Sequence, residues 1–498
     1  MPPSLRRVGH RVVELSRGRL GVAGALVLLV VVRLPFLMDP PSPDEGGFLL
    51  VAEQWHLDDD GLYGAYWVDR PPLLLLLFKV PAALGGVTAL RLLGTVTAVA
   101  LVLLAAAVGR QVAGRDVAGW CALVAAALSS SYATGGHLVD GELLAVPLVL
   151  ASCLASLLAL DAAGIRDGRA WAWSALAGTT GAAAVLIKQN LVDGLVFAGV
   201  LLLVAALADR GPSRRHVAKM AAGVMAGALL VLGAVAGWAV AAGAGLGRLA
   251  YGMYGFRLDA AEAIAGSDQS RPMERLGLLV LAAVLSGMVP ILVLALRDVT
   301  LPLTRADPVS WAFVGMLVVG VAGVAAGGSF WRHYLIALVP ATVIGVALAV
   351  RHRPGVRWPP WLVGLTVLSV LVTAAGASVV HAFREDPQER AVRAALWLRE
   401  HAAPSDTAVV TYGHANTLLE AGMASPYPYL WSLPVRVRDP ELDLLADTLA
   451  GPDAPDWVVE WDDVDTWGLD ENGRVRAVLE GEYEVVAERD GIVFRRRW

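Results

Sequence analysis

The sequence predicts a mainly α, polytopic membrane helical bundle of about eleven spans, followed by a small extracytoplasmic α/β domain. Three observations carry this. Hydrophobic residues make up 56% of the 498 and charged residues 17%, with a mean hydropathy of +0.60, whereas an ordinary soluble domain is roughly 25% charged. Apolar runs of span length recur between 20 and 380, separated by short charged connectors. Beyond 380 the composition turns polar, and helical and strand-like patterns alternate. The expected division is a membrane domain over 1–380 and an α/β domain over 381–498.

In chain order, Arg6, Arg7, Arg11, Arg17 and Arg19 precede an apolar run from 20 to 37. The arrangement superficially resembles a signal peptide, but Met38-Asp39-Pro40-Pro41 follows in place of a small-residue cleavage pattern, so the run reads as a retained first span. A crossing takes roughly 20 apolar residues. By that measure the later spans fall at 88–108, 117–131, 138–160, 171–187, 191–207, 218–241, 276–296, 309–326, 334–350 and 361–380. The run 73–84 is too short to cross and reads as an interfacial helix.

Basic residues in short loops mark the cytoplasmic side. Arg110 and Arg115, Arg166 and Arg169, Arg210 to Lys219, Arg297 and Arg305, and Arg351 to Arg357 fall in alternate connectors with the N-terminal arginines. The N-terminus is therefore expected in the cytoplasm of a multi-pass plasma-membrane protein. An odd span count then places 381–498 outside, together with the loop 39–70.

The C-terminal segment opens on Arg384, Glu385 and Asp386 and an amphipathic helix with Leu396, Trp397 and Leu398 as its apolar stripe. TAVVTYG (407–413) and DWVVEW (456–461) read as strands, and 483–497 as a hairpin turning at Asp490-Gly491. Cys121 and Cys153 lie inside apolar runs, where a thiol acts as a small hydrophobe, so neither a disulfide framework nor a cysteine metal site is expected. The basic residues are scattered without aromatic interleaving, which excludes nucleic-acid binding.

The chemistry is expected in the loop from Asp39 to Pro72. GGFLLVAEQW (46–55) spaces Phe48, Leu49, Val51, Ala52 and Trp55 on one helical face, with Glu53 and Gln54 opposite, as in a helix lying in the interface. Asp44 and Glu45 stand at its start, where the helix dipole favours an ionised carboxylate. Such a pair serves equally as a cap or as a proton acceptor. Asp69-Arg70-Pro71-Pro72 sets an ion pair on a rigid extended segment at membrane re-entry. Arg70 suits a phosphate-bearing lipid through its guanidinium fork, or anchors the next helix. A second outer loop, 243–275, rich in Gly, Tyr and charge, is either a lid or a plain connector.

One span, then Asp-Glu, an amphipathic helix, an aromatic segment and Asp-Arg-Pro-Pro-Leu resembles the GT-C membrane glycosyltransferases. The likeness is strongest to the branch of protein O-mannosyltransferases and lipid A aminoarabinose transferases. It implies a hexosyl- or pentosyltransferase that takes a sugar from a polyprenyl-phosphate carrier to a protein, glycan or lipid hydroxyl at the outer membrane face. The resemblance assigns catalytic roles to Asp44 as general base and to Glu45 and Asp69 beside it, and donor contacts to Arg70.

With lower specificity, HLVDGELLAVPL (137–148) is similar to a family segment whose Asp, here Asp140, contributes to a metal or donor contact, with Glu142 or His137 nearby. Lys188 resembles a basic position near the carrier phosphate. SFWRHYLIALVPA (329–341) is similar to the family's Arg-Tyr-Leu-x-x-x-x-Pro opening, which places Arg332 and Tyr334 at the outer surface. No cofactor is required; a divalent cation at Asp140 is compatible with the pattern. His137 and His333 lack clustered His/Cys spacing and read as interfacial. Phe48 stands where many relatives have Tyr, and Asp58-Asp59-Asp60-Gly61 is an insertion.

The alternative readings are a lipid or solute transporter or flippase, and a scaffold that presents 381–498. A transporter places ionisable groups at the bilayer midplane; the charges here gather at span ends.

Overall fold

Eight helices among the described residues are long and apolar enough to cross a membrane, or nine if a bent pair counts as one span. The computed structural model describes residues 3–57, 61–208, 211–300, 307–353, 358–383, 387–488 and 491–497. Asp58 to Asp60, Arg210, Arg305, Arg357, Arg384 to Asp386 and Asp490 lie outside these ranges. Two of the eleven expected spans are short helices. Ala118–Ser130 and Asp193–Leu207 are helices of 13 and 15 residues, about 20 and 23 Å at 1.5 Å per residue. Both fall short of a hydrocarbon core of about 30 Å.

The expected span 276–296 is broken. Ser270–Leu285 and Met288–Val299 meet at 66°. At the break Gly287 has φ +81°, a left-handed conformation that glycine adopts without a Cβ penalty and that ends a right-handed helix.

Packing divides the chain into two units. The first comprises 1–37, 92–235 and 270–379 and holds most of the long apolar helices. Small residues let its backbones approach, as is usual between helices in lipid. A Cβ on Gly178 would lie 1.9 Å from the Val224 carbonyl, and one on Gly227 1.9 Å from the Ala175 carbonyl. The Asp167–Ile187 helix therefore meets the Arg214–Ala241 helix almost backbone to backbone.

The second unit comprises 38–91, 236–269 and 380–498. The composition shift near 380 coincides with one of its edges, and the unit also takes in the first loop and most of the 243–275 loop. Its sheet has strands β1 (Ala408–Val410), β2 (Trp457–Glu460), β3 (Tyr483–Glu488) and β4 (Ile492–Arg496) in the order β1-β2-β4-β3. β1 runs parallel to β2, and β4 is antiparallel to both β2 and β3. The two expected strands and the hairpin are thus in place. Val409, Val458, Leu445, Leu449, Leu479 and Phe494 belong to the core beneath them.

The expected amphipathic helix is Pro387–His401, but its apolar stripe is different. Ala391, Ala394, Ala395 and Leu398 are buried while Leu396 is 48% exposed. Consecutive residues point about 100° apart on a helix, so 396 to 398 cannot share one face, whereas i, i+3, i+4 and i+7 do.

The turn after β1 carries His414, which stacks on Trp461 at 4.1 Å, with the Arg390 guanidinium over the same ring. Burial first, and Arg390 second, push the imidazole down to about 4 from its usual 6.5. His414 is neutral in the fold and takes up a proton on unfolding between those values. Its contribution is therefore full above about pH 6.5 and is lost as pH falls toward 4. Thermal unfolding is expected to show stability falling by about 2–3 kcal/mol over that window, and His414→Gln is expected to flatten the fall.

Candidate active site

The helix that carries the acid pair is Pro43–Gln54, and its cap is Ser42 rather than Asp44. The Glu45 N–H donates to Ser42 Oγ at 3.3 Å, and the Ser42 N–H donates to Glu45 Oε2 at 2.9 Å. This reciprocal box satisfies two of the helix's orphan donors. Capping is thereby assigned to Ser42 and Glu45, and Asp44, one position ahead of Glu45, is released from it.

The remainder of the helix departs from the interfacial reading. Glu45 through Ala52 are all buried, as is Trp55, so the segment is enclosed by protein on both faces. The glycine pair explains how. A Cβ on Gly46 would lie 2.5 Å from Asn416 Cα, and one on Gly47 2.4 Å from Trp431 Cζ2. Asn416 Nδ2 donates to the Pro41 carbonyl at 3.0 Å. Residues from the C-terminal segment thus pack directly on the first turns of the acid-bearing helix.

Asp44 is half-buried, and the Trp431 indole N–H donates to its Oδ1 at 2.9 Å. Trp431 also lies over Phe48, with centroids 5.2 Å apart, and the Arg70 guanidinium lies 5.8 Å from the Phe48 ring on the Phe's own account. Asp44, Trp431, Phe48 and Arg70 therefore form a continuous chain of contacts. Arg70 pairs with its neighbour Asp69 at 2.6 Å, and Asp69 takes a second guanidinium from Arg257. The Tyr63 hydroxyl donates to the Arg70 carbonyl. Burial first, and the Asp69 charge second, push the Tyr63 phenol up, which keeps it a donor at neutral pH.

Glu45 is 1% exposed and pairs with Arg91, itself 2% exposed. Arg91 Nη2 also donates to the Pro40 carbonyl at 3.2 Å. Removing one member of a buried pair strands the other charge and costs about 3–5 kcal/mol. Glu45→Gln keeps a capping side chain but loses the charge. It is expected to lower stability in detergent by that amount, with Arg91→Met in the same chain restoring part of it in thermal unfolding.

A second constellation lies in the first unit. Asp140 caps the Gly141–Ala162 helix, its Oδ1 accepting from the Leu143 N–H at 3.0 Å, and its Oδ2 is 3.7 Å from His333 Nδ1. The Lys188 ammonium is 3.0 Å from Glu142 Oε1 and 5.6 Å from the Tyr334 ring. The structure thus brings together Asp140, Glu142, Lys188, His333 and Tyr334 from three distant stretches of sequence. Arg332 is exposed, its guanidinium 5.5 Å from the Tyr132 ring.

One ligand atom each from Asp140, Glu142 and His333 lie within 4.8 Å of one another. Two carboxylates and an imidazole are a donor set that fits a divalent cation. The Lys188 ammonium already neutralises one of those carboxylates.

Several residues of these constellations had not been singled out from sequence. Arg91 is a lone charge in an apolar run, which in lipid demands a partner, and the Ser-x-x-Glu spacing of Ser42 and Glu45 marks a capping box. His333, expected from sequence to be an interfacial residue, lies instead beside Asp140 and Glu142, partners some 190 positions away that give no local sign. Arg257 and Trp431 likewise have distant partners.

Long apolar helices with the first loop and a small C-terminal sheet packed as one unit define the class: the chain has the fold of the GT-C membrane glycosyltransferases. It is similar to ArnT from Cupriavidus metallidurans bound to undecaprenyl phosphate, with a TM-score of 0.63 and 15% identity over 95% of this chain and 97% of that one. It is also similar to the Archaeoglobus fulgidus oligosaccharyltransferase tethered with an acceptor peptide, with a TM-score of 0.59 and 14% identity over 97% and 74%. The AglB oligosaccharyltransferase of that organism in complex with an inhibitory peptide and a dolichol-phosphate gives 0.57 and 13% over 96% and 74%. No family model and no curated protein matches the sequence.

Proposed function

We propose that this multi-pass membrane protein transfers a sugar from a polyprenyl-phosphate carrier to a hydroxyl acceptor in a single inverting displacement. The observation that carries the reading is the contact chain from Asp44 through Trp431 and Phe48 to Arg70, which links a half-buried carboxylate at the start of the Pro43–Gln54 helix to a guanidinium just before the Pro72–Leu84 helix. Solved structures of the same fold hold undecaprenyl phosphate or a dolichol-phosphate, which supports a lipid-phosphate donor here.

In the reaction Asp44 takes the proton of the acceptor hydroxyl as its oxygen attacks the anomeric carbon. The bond from that carbon to the carrier phosphate breaks, and the electron pair leaves with the phosphate. Charge builds on that phosphate in the transition state, where preorganised cations lower the barrier. Arg70 supplies one such cation and Arg257, joined to it through Asp69, supplies another. Asp69 and Glu45 act by position, the first holding the two guanidinium groups and the second fixing the helix start.

Lys188, Arg332 and Tyr334 are assigned to donor contacts. A divalent cation, where bound, would be held by Asp140, Glu142 and His333 and would supply Lewis-acid charge there. The orientation proposed is N-terminus in the cytoplasm and residues 381–498 outside.

Purified protein in lipid, given radiolabelled polyprenyl-phosphate hexoses and pentoses with glycan, peptide and lipid acceptors, is expected to form a product with inverted anomeric configuration and to release polyprenyl phosphate. Retention of configuration would exclude the single displacement. Absence of transfer across the whole panel would exclude the enzyme.

A further inference from the structure

Trp431 lies 387 positions from Asp44 in the chain, yet its indole N–H is 2.9 Å from Asp44 Oδ1. An indole nitrogen only donates. The contact occupies one lone pair on Oδ1 and draws charge toward that oxygen, which makes it the less basic of the two. Among the described residues no other side chain is paired with Asp44, and the helix cap is supplied by Ser42. Oδ2, which accepts from no side chain among the described residues, is the more basic oxygen and the favoured seat for a proton.

The indole is itself held from several sides. Gly47 leaves room for its six-membered ring, Phe48 packs on it, and its backbone is extended at φ −125° and ψ 147° immediately before the Ser432–Arg438 helix. Its edge is thus aimed by packing.

We propose that Trp431 is a positioning residue for Asp44, holding Oδ1 so that Oδ2 faces the acceptor hydroxyl, and that residues 380–498 thereby help set the geometry of the transfer. The proposal rests on the reading of Asp44 as the base. In the step itself, the acceptor O–H proton passes to Oδ2, the acceptor oxygen bonds to the anomeric carbon, and the carrier phosphate leaves with the electron pair of the broken bond.

The test is Trp431→Phe alongside 3-benzothienylalanine placed at 431 by amber suppression, the latter keeping the bicyclic shape and losing only the N–H. A hydrogen bond to a charged group carries enough free energy for the loss to lower kcat by about ten- to a hundredfold. KM for the donor and the unfolding temperature are expected to stay at wild-type values in the benzothienyl protein. Wild-type kcat in that protein overturns the proposal, as does a fall in kcat accompanied by an equal fall in thermal stability, which would make Trp431 a packing residue only. Asp44→Asn run in parallel separates the two readings. Wild-type turnover there removes Asp44 as the base, whereas an inactive Asp44→Asn beside a fully active benzothienyl protein removes only the role of Trp431. If Trp431→Phe fails to fold, the benzothienyl protein alone decides.

Discussion

Asp44→Asn is expected to lower kcat by about 10²–10⁴-fold, the usual worth of a positioned general base, while leaving donor affinity and thermal stability close to wild type. The small structural effect follows from the helix start. Ser42 and Glu45 form the cap, so the amide at 44 removes no capping bond, and an asparagine oxygen still accepts from the Trp431 indole. What the amide lacks is the basicity to take a proton. Steady-state transfer and donor binding measured on the same preparations check this. Turnover within twofold of wild type would remove Asp44 from the mechanism.

The second large effect concerns the two guanidinium groups on Asp69. Removing one donor that stabilises transition-state charge typically costs about 10²–10³-fold in kcat. Arg70→Ala and Arg257→Ala are each expected to fall in that range when kcat/KM for the polyprenyl-phosphate donor is measured. Because both pair with one carboxylate, the double variant is expected to lose less than the product of the single losses, as coupled neighbours do. Arg70→Lys keeps the charge but not the planar fork that grips phosphate oxygens, so it is expected to recover only part of the loss. Wild-type kcat/KM for Arg70→Ala would place the carrier phosphate elsewhere.

Hydropathy and charge reveal most of this fold because both are properties of contiguous sequence. The runs at 88–108 and 309–326 fall within observed helices, and 138–160 matches the Gly141–Ala162 helix to within three residues, since each is long and apolar. Length is the harder property to read. The stretch 117–131 is apolar to Leu128 and ends in three serines; its helix ends at Ser130 and Ser131 takes an extended backbone, which a hydropathy average does not register. The strands around 408, 457 and 492 were visible through β-branched runs bounded by turn residues.

The candidate site divides along the same line. Asp44, Asp69 and Arg70 stand in one short loop with a readable order. The groups that complete their surroundings, Arg91, Arg257, Asn416 and Trp431, arrive through long-range packing. Their sequence neighbourhoods say nothing of their partners. Glu45 is the instructive intermediate: its spacing from Ser42 was present in the sequence, yet its buried partner Arg91 turns it from a member of an acid pair into a fixed strut.

The glycines at 46 and 47 also bear on how the protein is made. At about 5–20 residues per second, a ribosome delivers Trp431 some 20–80 s after it has delivered Asp44, which precedes it by 387 positions. Throughout that interval the later apolar helices are being inserted while the helix bearing the acid pair lacks the surfaces that close over Gly46 and Gly47. A nascent chain stopped near residue 380 carries the whole first loop but leaves Asp44 without its indole.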